Sequence, residues 1–148
     1  MEKSMVMDEV LQLVTFSLDQ EVYAVDILNV QEINRITEIT KVPNAANYVE
    51  GVINLRGKVI PVINLRKKFG LHNKDIDESS RIIIMDIHGI TYGLMVDSVS
   101  EVLRIPSDIV EPPPPMAESM SSIFIKGIAK MENRLIILVN IERLMAQS

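Results

Sequence analysis

The sequence predicts an all-β fold with minor helix, a pair of small barrels packed together, and three observations predict it. Apolar runs are short, β-branched and bounded by turn residues such as Asp19-Gln20-Glu21, Arg56-Gly57-Lys58 and His88-Gly89. The order strand, turn, strand, short capped helix occurs twice along the chain. Only two stretches, each of about one helical turn, read as capped helices. The 148 residues, 47% hydrophobic and 24% charged, suit a globular chain with a real core.

Taken in order, Leu11–Leu18 alternates apolar and polar over much of its length and turns at Asp19-Gln20-Glu21 into Val22-Tyr23-Ala24-Val25, a hairpin. Val52–Leu55 and Val59–Ile63 flank Arg56-Gly57-Lys58, where Gly57 can supply the positive φ of a tight hairpin. Pro61 cannot donate to a ladder, which predicts that its strand lies at an edge or a bend. Asn64 reads as the N-cap of Leu65–Phe69, with Gly70 as its stop. Arg81–Ile87 then turns at His88-Gly89 into Ile90–Val96. Ile128–Met131 and Leu135–Val139 flank Glu132-Asn133-Arg134, and Asn140 opens a short amphipathic helix through Met145.

The recurrence has a register. An offset of 69 aligns Tyr23 with Tyr92, Val30 with Val99, Glu32 with Glu101 and Ile33 with Val102. An offset of 76 aligns Gly51 with Gly127, Ile60 with Ile136, Asn64 with Asn140 and Gly57 with Asn133. The second half therefore carries seven extra residues, for which Glu111 to Ser122, with Pro112-Pro113-Pro114-Pro115, is the expected place. The reading is one domain over 1–148, an internal duplication with subdomains at about 11–70 and 81–145. Modules this small gain by burying a shared apolar seam.

Composition narrows the function. Fifteen basic against 20 acidic residues give a net charge of −5, which argues against a nucleic-acid partner. The longest basic run, Arg66-Lys67-Lys68, reads as a solvated helix face. Without cysteine there are no disulfides, thiolate metal sites or cysteine nucleophiles. No apolar run reaches the length of a signal peptide or membrane span, so a cytoplasmic protein is expected. His72 and His88 read as solvated turn residues, and Asp26, Asp86 and Asp97 as caps at strand ends. No phosphate loop or nucleophile elbow is present, so neither an enzyme nor a cofactor or metal site is expected.

Binding surfaces are better supported. Ile27, Val30 and Ile33 recur every three residues, a spacing that suits either a helical turn or a strand reached through a turn. They either fill the core or floor a groove, and Val99 and Val102 echo two of them. Segments meeting at the seam of two barrels would leave a groove suited to a partner's amphipathic helix. Arg56 is either solvated or held out on its short turn to make planar contacts with a partner's carboxylate or backbone.

Tyr48-Val49-Glu50-Gly51-Val52-Ile53-Asn54-Leu55-Arg56-Gly57-Lys58-Val59-Ile60-Pro61-Val62-Ile63-Asn64-Leu65 closely resembles the most recognisable stretch of the CheW family, the coupling proteins of bacterial chemotaxis. Tyr23–Ile33, Gly93–Leu103 and Leu135–Ile141 are similar to further family motifs in the same order, so the resemblance spans about residues 11–145. It implies two packed five-stranded SH3-like barrels and a scaffold without catalysis or cofactor. That scaffold would bridge the cytoplasmic helical hairpin of chemoreceptors and the regulatory domain of the histidine kinase CheA, beside other CheW-like domains in membrane-associated arrays. Carried to matching positions, Ile27, Val30, Ile33 and Val99 would line the receptor groove. Glu32, Gly51 and Arg56, with Asn54 beside them, would serve coupling to kinase or receptor. The four-proline run departs from the family's usual linker. A chain of 148 residues leaves no room for a kinase core or receiver, which points to a stand-alone coupling protein. An adaptor of a related pathway controlling surface motility or gene expression would use the same surfaces, and a small-ligand-binding barrel is the third reading.

Overall fold

A computed structural model describes residues 9–113 and 123–146. Within them the alternating and β-branched runs form eleven strands, and the two capped segments form the helices. The strands are β1 (Val10–Leu18), β2 (Glu21–Asp26), β3 (Val30–Arg35), β4 (Val49–Leu55), β5 (Lys58–Asn64), β6 (Arg81–Ile87), β7 (Ile90–Val96), β8 (Ser98–Pro106), β9 (Val110–Glu111), β10 (Ile125–Met131) and β11 (Arg134–Val139). Helix α1 (Leu65–Lys68) follows β5, and α2 (Ile141–Ala146) follows β11. Asn64 Oδ1 accepts from Lys67 N at 3.2 Å, and Asn140 Oδ1 from Arg143 N at 3.1 Å, so both expected caps are made. Each such cap stabilises its helix by about 1 kcal/mol.

The strands make two sheets, one of five in the order β3-β6-β7-β5-β4 and one of six in the order β8-β1-β2-β11-β10-β9. Neither coincides with the spans 11–70 or 81–145. The hairpin β1–β2 pairs with β8 and β11, while β6–β7 pairs with β3 and β5. Each half thus lends its first hairpin to the other half's sheet. The registers repeat at the offsets read from the sequence: Phe16 faces Tyr23 as Met85 faces Tyr92, and Val30 faces Met85 as Val99 faces Phe16. Bulges recur too, between Val49 and Gly51 and between Ile125 and Gly127. Thr40 bridges Val52 as Glu111 pairs with Ile128, an offset of 71, so two of the seven extra residues precede Glu111. They fall at the 3-10 turn Ser107–Ile109, not in the proline-rich stretch, whose 114–122 part lies outside the described residues.

Each sheet curls until its edges meet. In the five-stranded sheet, β3 and β4 are opposite edges, yet the chain after β3 bridges to β4 at Thr40–Val52. In the six-stranded sheet β9 does the same for β10. Pro61 therefore does not mark an edge strand, since β5 lies between β4 and β7. Its missing N–H costs nothing because the parallel ladder to β7 begins one residue later, at Val62.

Three apolar layers result. Ile53, Ile60, Ile82 and Ile84 fill one barrel, and Leu13, Ile105, Ile136 and Leu138 fill the other. Between them Val14, Phe16, Leu18, Ile83, Met85 and Ile87 make a shared core. Strand β6 is buried on both faces, which is why Ile82-Ile83-Ile84-Met85 shows no alternation. Thr15 points inward from β1, where its hydroxyl donates to Glu101 O at 3.0 Å and accepts from Glu101 N at 3.1 Å.

The basic run after Asn64 is not a solvated face. The Arg66 side chain is 8% exposed; its Nε donates to Asp97 Oδ1 at 3.0 Å, and its other nitrogens reach Asp19 and the His72 carbonyl. Asp19 N also donates to Asp97 Oδ2 at 2.8 Å. This knot ties the β1–β2 turn of the six-stranded sheet to α1, which follows β5 of the five-stranded sheet, and to the β7–β8 junction between the two sheets. Lys67 Nζ stands 3.8 Å from Glu50, and Lys68 Nζ lies 3.8 Å above the Tyr48 ring. At the positions equivalent to Asp19 and Arg66, His88 and Glu142 pair at the surface, and His88 is the solvent-exposed turn residue expected from the sequence.

Candidate protein-docking sites

The first candidate site grows from the crossing between the barrels. Asp26 Oδ1 accepts from Leu28 N at 2.9 Å, capping a 3-10 turn at Ile27–Asn29 that carries the chain from β2 into β3. The three-residue spacing of Ile27, Val30 and Ile33 is thus a turn followed by a strand. Val30 opens β3 opposite buried Met85, and Val99 stands near the start of β8 opposite buried Phe16. Ile27, Val30 and Val99 are half-buried against the shared core, which brings three of the four expected groove residues to one apolar layer. Ile33 sits opposite Ile83 but is 40% exposed, on the rim of that layer. Its counterpart Val102 is also exposed, and Leu28, which the sequence reading passed over, is 88% exposed at the tip of the turn. Its position between two spaced apolar residues in a capped turn was the available signal.

The second candidate site lies where the five-stranded barrel closes. At the β4–β5 turn Arg56 has φ 51° and Gly57 φ 87°, the pair of left-handed residues that a two-residue hairpin requires. Asn54 Oδ1 accepts from Gly57 N at 2.8 Å and holds that turn. Arg56 is not held out from the barrel. Its guanidinium folds back as a fork on the Glu32 carboxylate, with Nη1 at 3.3 Å from Oε1 and Nη2 on Oε2. Arg56 and, second, Asn34 hold the Glu32 carboxyl below the usual carboxylate range through their hydrogen bonds, and Glu32 raises Arg56. Whatever the pair adds to stability is therefore present above the ordinary carboxylate pKa and is lost as pH falls through the lowered one. Gly51 differs in kind: it is buried, and a Cβ there would lie 2.3 Å from the Thr40 carbonyl oxygen. Its contribution to any interface is through the fold.

The other barrel repeats the closure. Arg134 Nη2 donates to Glu101 Oε2 at 2.8 Å, and exposed Leu135 matches exposed Val59 on the first hairpin. The alignment of Glu32 with Glu101 was the signal for this second pair, although Arg134 itself was not singled out. Replacing Arg56 by Ala should leave the melting temperature nearly unchanged, because a solvent-exposed ion pair adds little to stability. A calorimetric scan of the two proteins checks this.

Among the described residues no three of His, Cys, Asp and Glu stand together as metal ligands, and no helix is long and apolar enough to cross a membrane. A cleft lined by Leu11, Asp26, Lys126 and Glu142 holds about 130 Å³, and one lined by Tyr23, Phe69 and Ile137 about 90 Å³. Both fall below the roughly 300–1,000 Å³ of small-molecule pockets.

Comparison with known proteins gives a consistent answer. The family model described as the CheW-like domain matches residues 12–148. The chain is 35% identical over 131 residues to the chemotaxis protein CheW of Klebsiella aerogenes, covering 88% of this chain and 79% of that protein. It is likewise 35% identical over 138 residues to the chemotaxis protein CheW of Helicobacter pylori, covering 93% and 83%. Among solved structures it is similar to the scaffolding protein TtCheW of Thermoanaerobacter tengcongensis, with a TM-score of 0.83 and 44% identity over 88% of this chain and 89% of that one.

Proposed function

The chain belongs to the CheW-like domain family, and from that membership we propose that it is a non-catalytic coupling protein of chemotaxis, which bridges the cytoplasmic hairpin of chemoreceptors and the regulatory domain of a CheA-type kinase. It works in the cytoplasm and is recruited to membrane-associated receptor arrays. The observation that carries the reading is the apolar seam: Ile27, Val30 and Val99 half-buried on the shared core, with Ile33 and Leu28 left to solvent beside them. Such an apolar strip beside the core shared by two barrels suits the apolar stripe of a helix. The Glu32–Arg56 pair, which joins β3 to the β4–β5 turn, is assigned to coupling with kinase or receptor.

A scaffold in this role contributes geometry. Two surfaces on one rigid body convert two separate encounters into one, raising the local concentration of kinase at the receptor without new chemistry. The shared core and the Arg66 knot keep those surfaces in fixed relation.

Val30→Asp tests the groove. It should weaken binding to a receptor cytoplasmic fragment at least tenfold, because a charge is set on the apolar floor. The stability cost should stay near 1–2 kcal/mol, since Val30 is only half-buried. Affinity for the kinase regulatory domain should not change. A variant that unfolds, or one that binds receptor normally, would assign Val30 to the core alone.

A further inference from the structure

At the far end of β3 from Val30, Arg35 stands directly opposite Arg81 of β6, so the two guanidinium side chains project from the same face of the sheet. Arg35 is exposed and has no hydrogen-bond or ion-pair partner among the described residues. Arg81 donates only to backbone carbonyls, those of Glu78 at 2.7 Å and Ser80 at 2.8 Å. Of the acids on the loop before β6, Asp77 is taken by Lys74 and the Ser79 amide, and Glu78 meets Arg81 through its backbone carbonyl, with no carboxylate ion pair to either arginine among the described residues. Like charges facing each other across two strands destabilise a sheet, so this arrangement opposes the fold that carries it. The equivalent place in the other barrel sets Gln12 opposite Arg104, so the doubled cation belongs to one end of one barrel.

Arg35 shares the outer face of β3 with exposed Ile33, two residues away, about 7 Å along the strand. We propose that Arg35 and Arg81 form the cationic end of the apolar seam and engage a carboxylate side chain on the partner helix, about one helical turn beyond the apolar residue that meets Ile33. The inference rests on the reading of that seam as a receptor groove and adds the partner's chemistry and its direction along the groove. Two adjacent guanidiniums can hold one carboxylate by paired hydrogen bonds, and the lone Arg104 of the other barrel offers only one. The helix is thereby given a polarity that the apolar floor alone does not supply.

The test uses the full chain and a soluble cytoplasmic hairpin fragment of a chemoreceptor from the same genome. Arg35→Glu should weaken binding about tenfold at low salt and flatten the salt dependence. It should also raise the melting temperature by about 1–4 °C, because a carboxylate opposite Arg81 replaces repulsion with attraction. Binding to the kinase regulatory domain should be unchanged, and a lysine in place of the partner carboxylate should restore affinity for Arg35→Glu. Unchanged affinity and salt slope in Arg35→Glu, with Val30→Asp still defective, would overturn the arginine assignment and leave the groove standing. Normal binding by both variants would remove the groove and this inference together. A falling melting temperature with loss of both partners would make the arginines supports of the fold and overturn the proposal.

Discussion

Arg66→Ala should lower the unfolding free energy by about 3–5 kcal/mol, more than the loss of any other single charged side chain among the described residues. The reason lies in what the substitution leaves behind. Asp97, 11% exposed, would keep its charge with only Lys74, 3.9 Å away, and the Asp19 amide as partners. The His72 carbonyl and the Asp19 carboxylate would lose their donor as well. Arg66→Lys should recover part of the loss, because one ammonium replaces the charge but cannot reach three acceptors set around a planar fork. Urea unfolding of the three proteins checks the order. Equal midpoints would mean that the knot contributes nothing net and that the apolar layer alone holds the barrels.

Gly51→Ala is the second large effect, a loss of about 2–4 kcal/mol. The new methyl would stand 2.3 Å from the Thr40 carbonyl oxygen and 2.9 Å from its carbon, and backbone in a bridged segment yields little. Gly127 is the repeat's counterpart, and there the nearest atom is a side-chain methyl, Val110 Cγ1 at 2.6 Å, which can turn away. Gly127→Ala should therefore cost less, about 1–2 kcal/mol. Gly57→Ala meets nothing within 4 Å and should cost about 1 kcal/mol, from its φ of +87° alone. The series separates close approach from backbone strain. Any loss of coupling in Gly51→Ala should follow its melting curve, whereas Arg56→Ala should lose coupling while fully folded.

Local chemistry was legible in the sequence because it depends on neighbours. Asn64 and Asn140 cap helices that start one residue later, and Arg56-Gly57 and His88-Gly89 turn hairpins, all from residue types with a fixed local preference. Partnership between distant strands was not legible. Short apolar runs bounded by turn residues mark Val14–Leu18 and Ile82–Ile87 as strands, yet nothing in either run tells that each pairs within the other half's sheet. The same limit explains Arg66: a basic residue in a short helix looks solvated until the fold brings Asp19 and Asp97 around it. For the candidate sites, spacing picked out Ile27, Val30 and Ile33 and the repeat offset added Val99; Ile27, Val30 and Val99 share a layer, and Ile33 stands exposed at its rim. It could not show that Glu32 and Arg56, on opposite edges of one sheet, would meet when that sheet closed. Asn54 and Gly51 were grouped with them by resemblance, and in the structure they shape the turn and the closure that present Arg56.

The recurring register has a mechanical consequence. Exchange of the first hairpins sends the chain back and forth between the barrels, and the core between them draws Val14, Phe16 and Leu18 from one sheet and Ile83, Met85 and Ile87 from the other, so the barrels cannot part without exposing it. The proposed bridging role calls for surfaces held in fixed relation, which a core shared by both sheets favours.

The most direct test of the bridging claim is sedimentation of the kinase with receptor-bearing membranes, with and without this chain. Bridging predicts that the kinase sediments strongly only when the chain is present, and that Val30→Asp and Arg56→Ala each abolish most of that recruitment while remaining folded. Equal sedimentation of the kinase in the absence of the chain, or full recruitment by both variants, would contradict it.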